Sequence, residues 1–112
     1  MPSDIKHFID EVVDSFVMWD LLIFFSKKGS EITTVGQVIQ RLGRPPEEVQ
    51  KPIHKLEKLG LAVLDKLLDG EVSCCINMKS DLYPLFQKFA EYNASQESRL
   101  KILSYLLQKK IH

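Results

Sequence analysis

The sequence predicts a mainly α-helical fold carrying one small β-hairpin. Three observations predict it. Between Thr33 and Gly60, two amphipathic helical patterns are separated by Gly43, Pro45 and Pro46. Directly after Gly60 the apolar period changes from helical to alternating, over Leu61 to Met78, with Asp69-Gly70 as a turn signal. On both sides of this block, over residues 1–28 and 80–112, apolar residues recur at helical spacing. All 112 residues are expected to form one domain around one core.

The first element is expected to be one long helix over residues 1–28. Ser3 or Asp4 caps its start, and Ile5, Phe8, Ile9, Val12, Val13, Phe16 and Val17 keep the i, i+3, i+4 rhythm. From Phe16 to Phe25 only Asp20 interrupts the apolar residues. A helix with so little polar face needs cover on several sides, and a second copy of the chain is one source of that cover. Lys27-Lys28-Gly29-Ser30 supplies the cations and the glycine that helix C-termini prefer.

Ile32 is expected to start a very short strand. Thr34 then caps a helix with Val35, Val38, Ile39 and Leu42 on its apolar face, and Gly43 ends it. A second helix begins at Pro46, where a missing N–H costs nothing. Val49, Ile53 and Leu56 fall within ~60° on its wheel at ~100° per residue and form its buried face. Pro52 removes the bond to the Glu48 carbonyl, so a bend or a loose first turn is expected. Residues 33–60 thus read as a helix-turn-helix and 61–78 as a ribbon behind it. With Asp69-Gly70 as a two-residue turn, Leu67 faces Val72, and Val63, Leu67, Val72, Cys74 and Ile76 share the core face. Leu64, Lys66, Ser73 and Cys75 take the other face, and Asp65 falls on the inner one. Two helices follow. Ser80 or Asp81 caps the first, which has Leu82, Leu85, Phe86 and Phe89 inward and Pro84 in its first turn. Ser95 caps the last, lined by Leu100, Leu103, Leu106 and Leu107.

Composition narrows the function. The longest apolar run, Leu21 to Phe25, is too short to span a bilayer, and no signal peptide is visible. The two cysteines, Cys74 and Cys75, are adjacent and form no disulfide framework, which fits a cytoplasmic setting. They invite a metal reading, but His7, His54 and His112 are scattered and no ligand spacing exists, so no metal or other cofactor is expected. There is no glycine-rich phosphate loop and no nucleophile motif, and no enzyme is expected. Net charge is zero and unevenly spread: −4 over residues 1–26, +2 over 27–79 and +2 over 80–112.

Candidate binding residues concentrate on the second helix of the helix-turn-helix. Opposite its buried face lie Glu47, Lys51, His54, Lys55 and Lys58, with Gln50 at the flank and Arg44 just before. Lysines there can pair with phosphates, and Gln50 or His54 can reach base edges. A solvated lysine-bearing face is the plainer alternative. Lys66 at mid-ribbon can touch a neighbouring phosphate, whereas the tip Leu68-Asp69-Gly70-Glu71 is acidic. Phe8, Val12, Phe16 and Trp19 in the first helix, and Leu100, Leu103 and Leu107 in the last, are candidates for a subunit interface. The aromatic cluster of Phe16, Trp19, Phe24 and Phe25 is otherwise core, or the lining of a small-molecule pocket.

The pattern QVIQRLGRPPEEVQKPIHKLEKLGLAVLDK is similar to the winged helix-turn-helix of MarR-, PadR- and ArsR-like transcriptional regulators. The resemblance covers residues ~15–78. Its most specific piece is Leu56-x-x-Leu59-Gly60-Leu61 followed by a hairpin, which resembles the junction between recognition helix and wing. The resemblance implies a winged helix with extra terminal helices, a helix over Pro46–Leu59 that enters the major groove of double-stranded DNA, and terminal helices that pair two subunits. It makes Gln50, Lys51, His54 and Lys55 the groove-facing residues. The departures are Pro52 within the helix, the Glu47-Glu48 pair before it and the short acidic wing. Winged helices also serve as protein-docking modules, so a protein partner is the second expectation.

Overall fold

The computed structural model describes residues 1–111; His112, at the end of the expected last helix, lies outside them. Six helices and three short strands follow in the order α1 (Ser3–Val12), α2 (Phe16–Lys28), β1 (Thr33–Thr34), α3 (Val35–Leu42), α4 (Pro46–Lys58), β2 (Ala62–Lys66), β3 (Val72–Ile76), α5 (Tyr83–Tyr92) and α6 (Gln96–Gln108). This is the mainly α fold with a hairpin wing that the sequence predicts.

The expected single helix over 1–28 is instead two helices. Val13 is extended, and Ser15 takes the N-cap of α2, its Oγ accepting the Met18 N–H at 3.0 Å. Ser15 offers the backbone a local partner that competes with helix continuation, while the apolar rhythm runs on across the break. Neither Ser3 nor Asp4 caps α1; Pro2 is its N-cap, and the backbone N–H that Asp4 accepts is that of Ile5. The break lets α2 become the hub of the molecule. It buries Val17, Met18, Leu21, Leu22 and Phe25 and packs against α3, α4 and α5. Most of the apolar surface of α2 is therefore covered within the chain.

The helix-turn-helix forms where its punctuation places it. Thr34 caps α3 in a reciprocal box, its Oγ1 accepting the Gln37 N–H while Gln37 Oε1 accepts the Thr34 N–H. Gly43 closes α3 and Pro46 opens α4. Helix α4 continues through Pro52, which is buried with Val49, Ile53 and Leu56. Each of these apolar side chains contributes ~1.5–3 kcal/mol on burial. At its end the Leu61 N–H donates to the Leu56 carbonyl and the Gly60 N–H to the Glu57 carbonyl, both at 2.9 Å. This is the Schellman arrangement, and it requires the positive φ (+80°) that Gly60 supplies. Leu56 and Leu61, both fully buried, close it as an apolar pair.

The sheet has order β1-β3-β2 with both pairings antiparallel. Its register corrects the expected one by a single residue. Leu64 pairs with Cys74 and Lys66 with Val72, so Ala62, Leu64, Cys74 and Ile76 face the core. Val63 and Leu67 point outward and are about two-fifths exposed, and Asp65 is at the surface. The cause is the turn. The Leu67 N–H donates to Glu71 O and the Gly70 N–H to Leu67 O, which makes a three-residue loop of Leu68-Asp69-Gly70 with Gly70 at φ +90°. Such a loop shifts the pairing by one relative to a two-residue turn, which turns the β2 side chains to the other face while Val72, Cys74 and Ile76 of β3 keep theirs.

Helices α5 and α6 pack behind α1. Phe8 meets Phe89 edge-on with ring centroids 5.4 Å apart, and Ile102 and Leu106 join the same core. Ser95 caps α6, accepting the Ser98 N–H. Ser80 Oγ accepts the Leu82 N–H just ahead of α5.

Candidate functional site

The outward face of α4 is built by what holds its other side down. Val49, Pro52, Ile53 and Leu56 point into the core. At ~100° per residue the opposite line is Glu47, Lys51, His54 and Lys58, one residue per turn. All four are exposed, as is Gln50 beside them. His54 Nδ1 lies 3.8 Å from Glu57 on the next turn. No carboxylate lies within ion-pair distance of Lys51 or Lys58 among the described residues. Lys66 is exposed as well. Its register position is on the inner face, but it extends past the edge of the core.

Arg44 and Lys55 are placed differently. Arg44 donates from Nε (3.2 Å) and Nη2 (2.7 Å) to Asp20 Oδ2 in α2, and its Nη1 is 3.9 Å from Glu48. Lys55 Nζ donates to Asp14 Oδ2 at 3.0 Å, in the break between α1 and α2. Both cations are only about one-third exposed. The expected cationic row therefore divides. Lys51, His54, Lys58 and Gln50 face solvent; Arg44 and Lys55 lie on the flank against α2, engaged by acids 24 and 41 residues distant in sequence.

The same pairing recurs at the other end of the molecule. Asp4 accepts from Lys88, which holds its carboxyl below the usual carboxylate range. Asp10 accepts from Lys109 and from Tyr105 (2.7 Å). The Lys109 bond first, then the Tyr105 bond, lowers the Asp10 carboxyl, and the Tyr105 phenol is raised in return. Four acids of the N-terminal segment thus each meet a base from α4, its approach, α5 or the end of α6. The uneven charge of the sequence closes on itself in the fold.

The expected subunit-interface residues also divide. Phe8 and Val12 are fully enclosed within the chain, which corrects that expectation: α5 and α6 cover the face of α1 on which they lie. Phe16 and Trp19 are half-buried, and the Trp19 indole N–H donates to Asn93 Oδ1 at 2.9 Å, tying α2 to the α5–α6 junction. Leu103 is half-buried. Leu100 and Leu107 are each 58% exposed on the face of α6 turned away from Ile102 and Leu106. In the aromatic cluster Phe25 is core, with Phe24 edge-on to it and half-buried. Cys74 is buried in the sheet, and burial, with Cys75 beside it, pushes its thiol up to about 11. A thiol held protonated to that pH packs as a small apolar side chain. No described helix is long and apolar enough to cross a membrane.

No family model and no curated protein matches the chain. Among solved structures it is similar to that of Bordetella bronchiseptica BpsR, whose DNA binding is regulated by 6-hydroxynicotinic acid. The likeness has a TM-score of 0.50 at 14% identity and covers 96% of this chain and 84% of that one. At this identity it is a likeness of fold.

Proposed function

We propose that the chain is a winged-helix transcriptional regulator that lays α4 in the major groove of duplex DNA and acts as a homodimer. The observation that carries this reading is the row of Lys51, His54 and Lys58, with Gln50 beside it, on the outward side of a helix anchored by four buried residues. A helix so held presents its side chains at fixed positions. Lysines at successive turns reach phosphates, and Gln50 or His54 reaches base edges. The fold shared with BpsR, a protein that binds DNA, supports the same reading. Leu100, Leu103 and Leu107 on α6, with Phe16 and Trp19 on α2, supply the surface that pairs two copies. Pairing sets two α4 helices about 34 Å apart, one turn of the duplex, for one half-site each.

Fluorescence anisotropy on duplex from the flank of the chain's own gene, titrated across salt, tests the reading. Two chains should bind per duplex. Lys51→Ala with Lys58→Ala should weaken binding and reduce the salt slope by about four, since the two chains together lose four phosphate contacts at ~0.9 each. Unchanged affinity and slope in that pair contradict the proposal.

The second reading is a winged-helix module that docks a protein. Neutralisation of Arg44 and Lys55 within the chain favours it, because it leaves the α4 face less cationic than its lysine content implies. It predicts no duplex binding even at low salt.

A further inference from the structure

Two ion pairs join α4 and its approach to the N-terminal segment, and both lie on the flank of the proposed DNA-contacting face. Arg44 puts two donors on one oxygen of Asp20, and Lys55 puts its ammonium on Asp14. Neither pair is a neighbour contact along one helix. Each requires α4 to be packed against α2 and against the break that precedes it. Asp14 and Lys55, with Phe16, Arg44, Glu47 and Lys51, line one open groove between that break and α4. Two carboxylates of the N-terminal segment, Asp14 and Asp20, stand where phosphate oxygens would otherwise meet Lys55 and Arg44, and Glu48 on α4 itself lies 3.9 Å from Arg44.

We propose that Asp14 and Asp20 form an intramolecular latch that occupies two of the α4-side cations in place of DNA phosphates. The inference rests on the DNA-binding reading and deepens it. A cation already held by a carboxylate gains little from a phosphate, because one anion only replaces another. While the carboxylate holds it, it neutralises no phosphate and so releases no condensed counterion from the duplex. With the latch closed, only Lys51, Lys58 and the wing lysine Lys66 contribute. With it open, Lys55 and Arg44 join them. Any movement of α2 relative to α4 that parts these pairs raises affinity for DNA, so the α2–α4 packing becomes the control point for binding. The latch also accounts for the charge pattern: an acidic segment far from α4 in sequence sits beside it in the fold.

The test measures binding of a random-sequence duplex of ~20 base pairs by anisotropy across a salt series. Asp14→Asn with Asp20→Asn removes both carboxylates and preserves side-chain volume. Asp4→Asn with Asp10→Asn is the matched control, because those acids pair with Lys88 and Lys109 and the change in net charge is identical. The Asp14/Asp20 variant should bind about ten-fold tighter at low salt and steepen the slope by about four units beyond the control, because the two chains together free four cations. Adding Arg44→Ala and Lys55→Ala to it should abolish the gain. Binding by the unaltered chain with equal gains in both Asn variants overturns the latch and leaves the DNA reading standing. No binding by any of these chains at low salt overturns both.

Discussion

At Asp10, one carboxylate receives two donors from the last helix, and the cost of its protonation is written into the fold. The Lys109 ammonium and the Tyr105 hydroxyl both point at it, and Lys6 and Lys109 lie 5.6 and 5.4 Å from the Tyr105 ring centroid. The Asp10 carboxyl is lowered by these partners, so the folded chain favours its ionised form. A depressed folded value stabilises the chain above the ordinary carboxylate range and loses that contribution as pH falls through the folded value. Asp10→Asn should therefore lower the melting temperature slightly at pH 7, with the difference shrinking below pH ~4 as the native carboxylate protonates. The carboxylate is about half exposed to solvent, which keeps the effect in the small range of surface pairs. Thermal melts of both chains at pH 7, 4 and 2.5 check it; a gap that widens toward acid contradicts it. Phe8 illustrates what residue-level reading misses. Its spacing marks it as apolar and inward, but only the positions of α5 and α6 decide that the chain itself encloses it.

At the scale of elements, local chemistry explains both the successes and the misses. Thr34, Gly43, Pro46, Gly60 and Ser95 each act within four residues of themselves, and the boundaries they imply are the ones observed. The break between α1 and α2 was hidden because Val12, Val13, Phe16 and Val17 sustain a helical rhythm across it. The readable signal was Asp14-Ser15, a cap pair lying inside an apolar run. Ser15→Ala should cost about 1 kcal/mol of stability, the usual value of a lost N-cap bond. Urea unfolding should show this as a lower midpoint at constant slope, and no change would mean that packing alone defines the break. The sequence leaves the hairpin register open because Asp69-Gly70 suits both a two-residue turn and the end of a three-residue loop. Asp65 held the clue, since a carboxylate assigned to the core face argues for the neighbouring register. Ion pairs such as Arg44–Asp20 and Lys55–Asp14 are invisible in sequence, because only the packing of α4 on α2 brings them together. They are also what divides the candidate site into an open row and a masked flank.

For the molecule as a whole, the architecture sets α4 on one side of α2 and the α1–α5–α6 layer on another. Anchoring and presentation are separated. The core holds α4 by four residues, and the groups available to a partner are on the face the core does not need. The exposed leucines of α6 lie on a different element from that face, which leaves the two surfaces independent. The most direct test of this division is a titration of isotope-labelled chain with duplex DNA, followed by backbone amide shifts. The account predicts shifts concentrated at Gln50, Lys51, His54 and Lys58, with smaller ones near Lys66, and little change along α5. An α4 row that stays silent while α5 or the sheet's outer face responds, or a spectrum the duplex leaves unaltered, would contradict it.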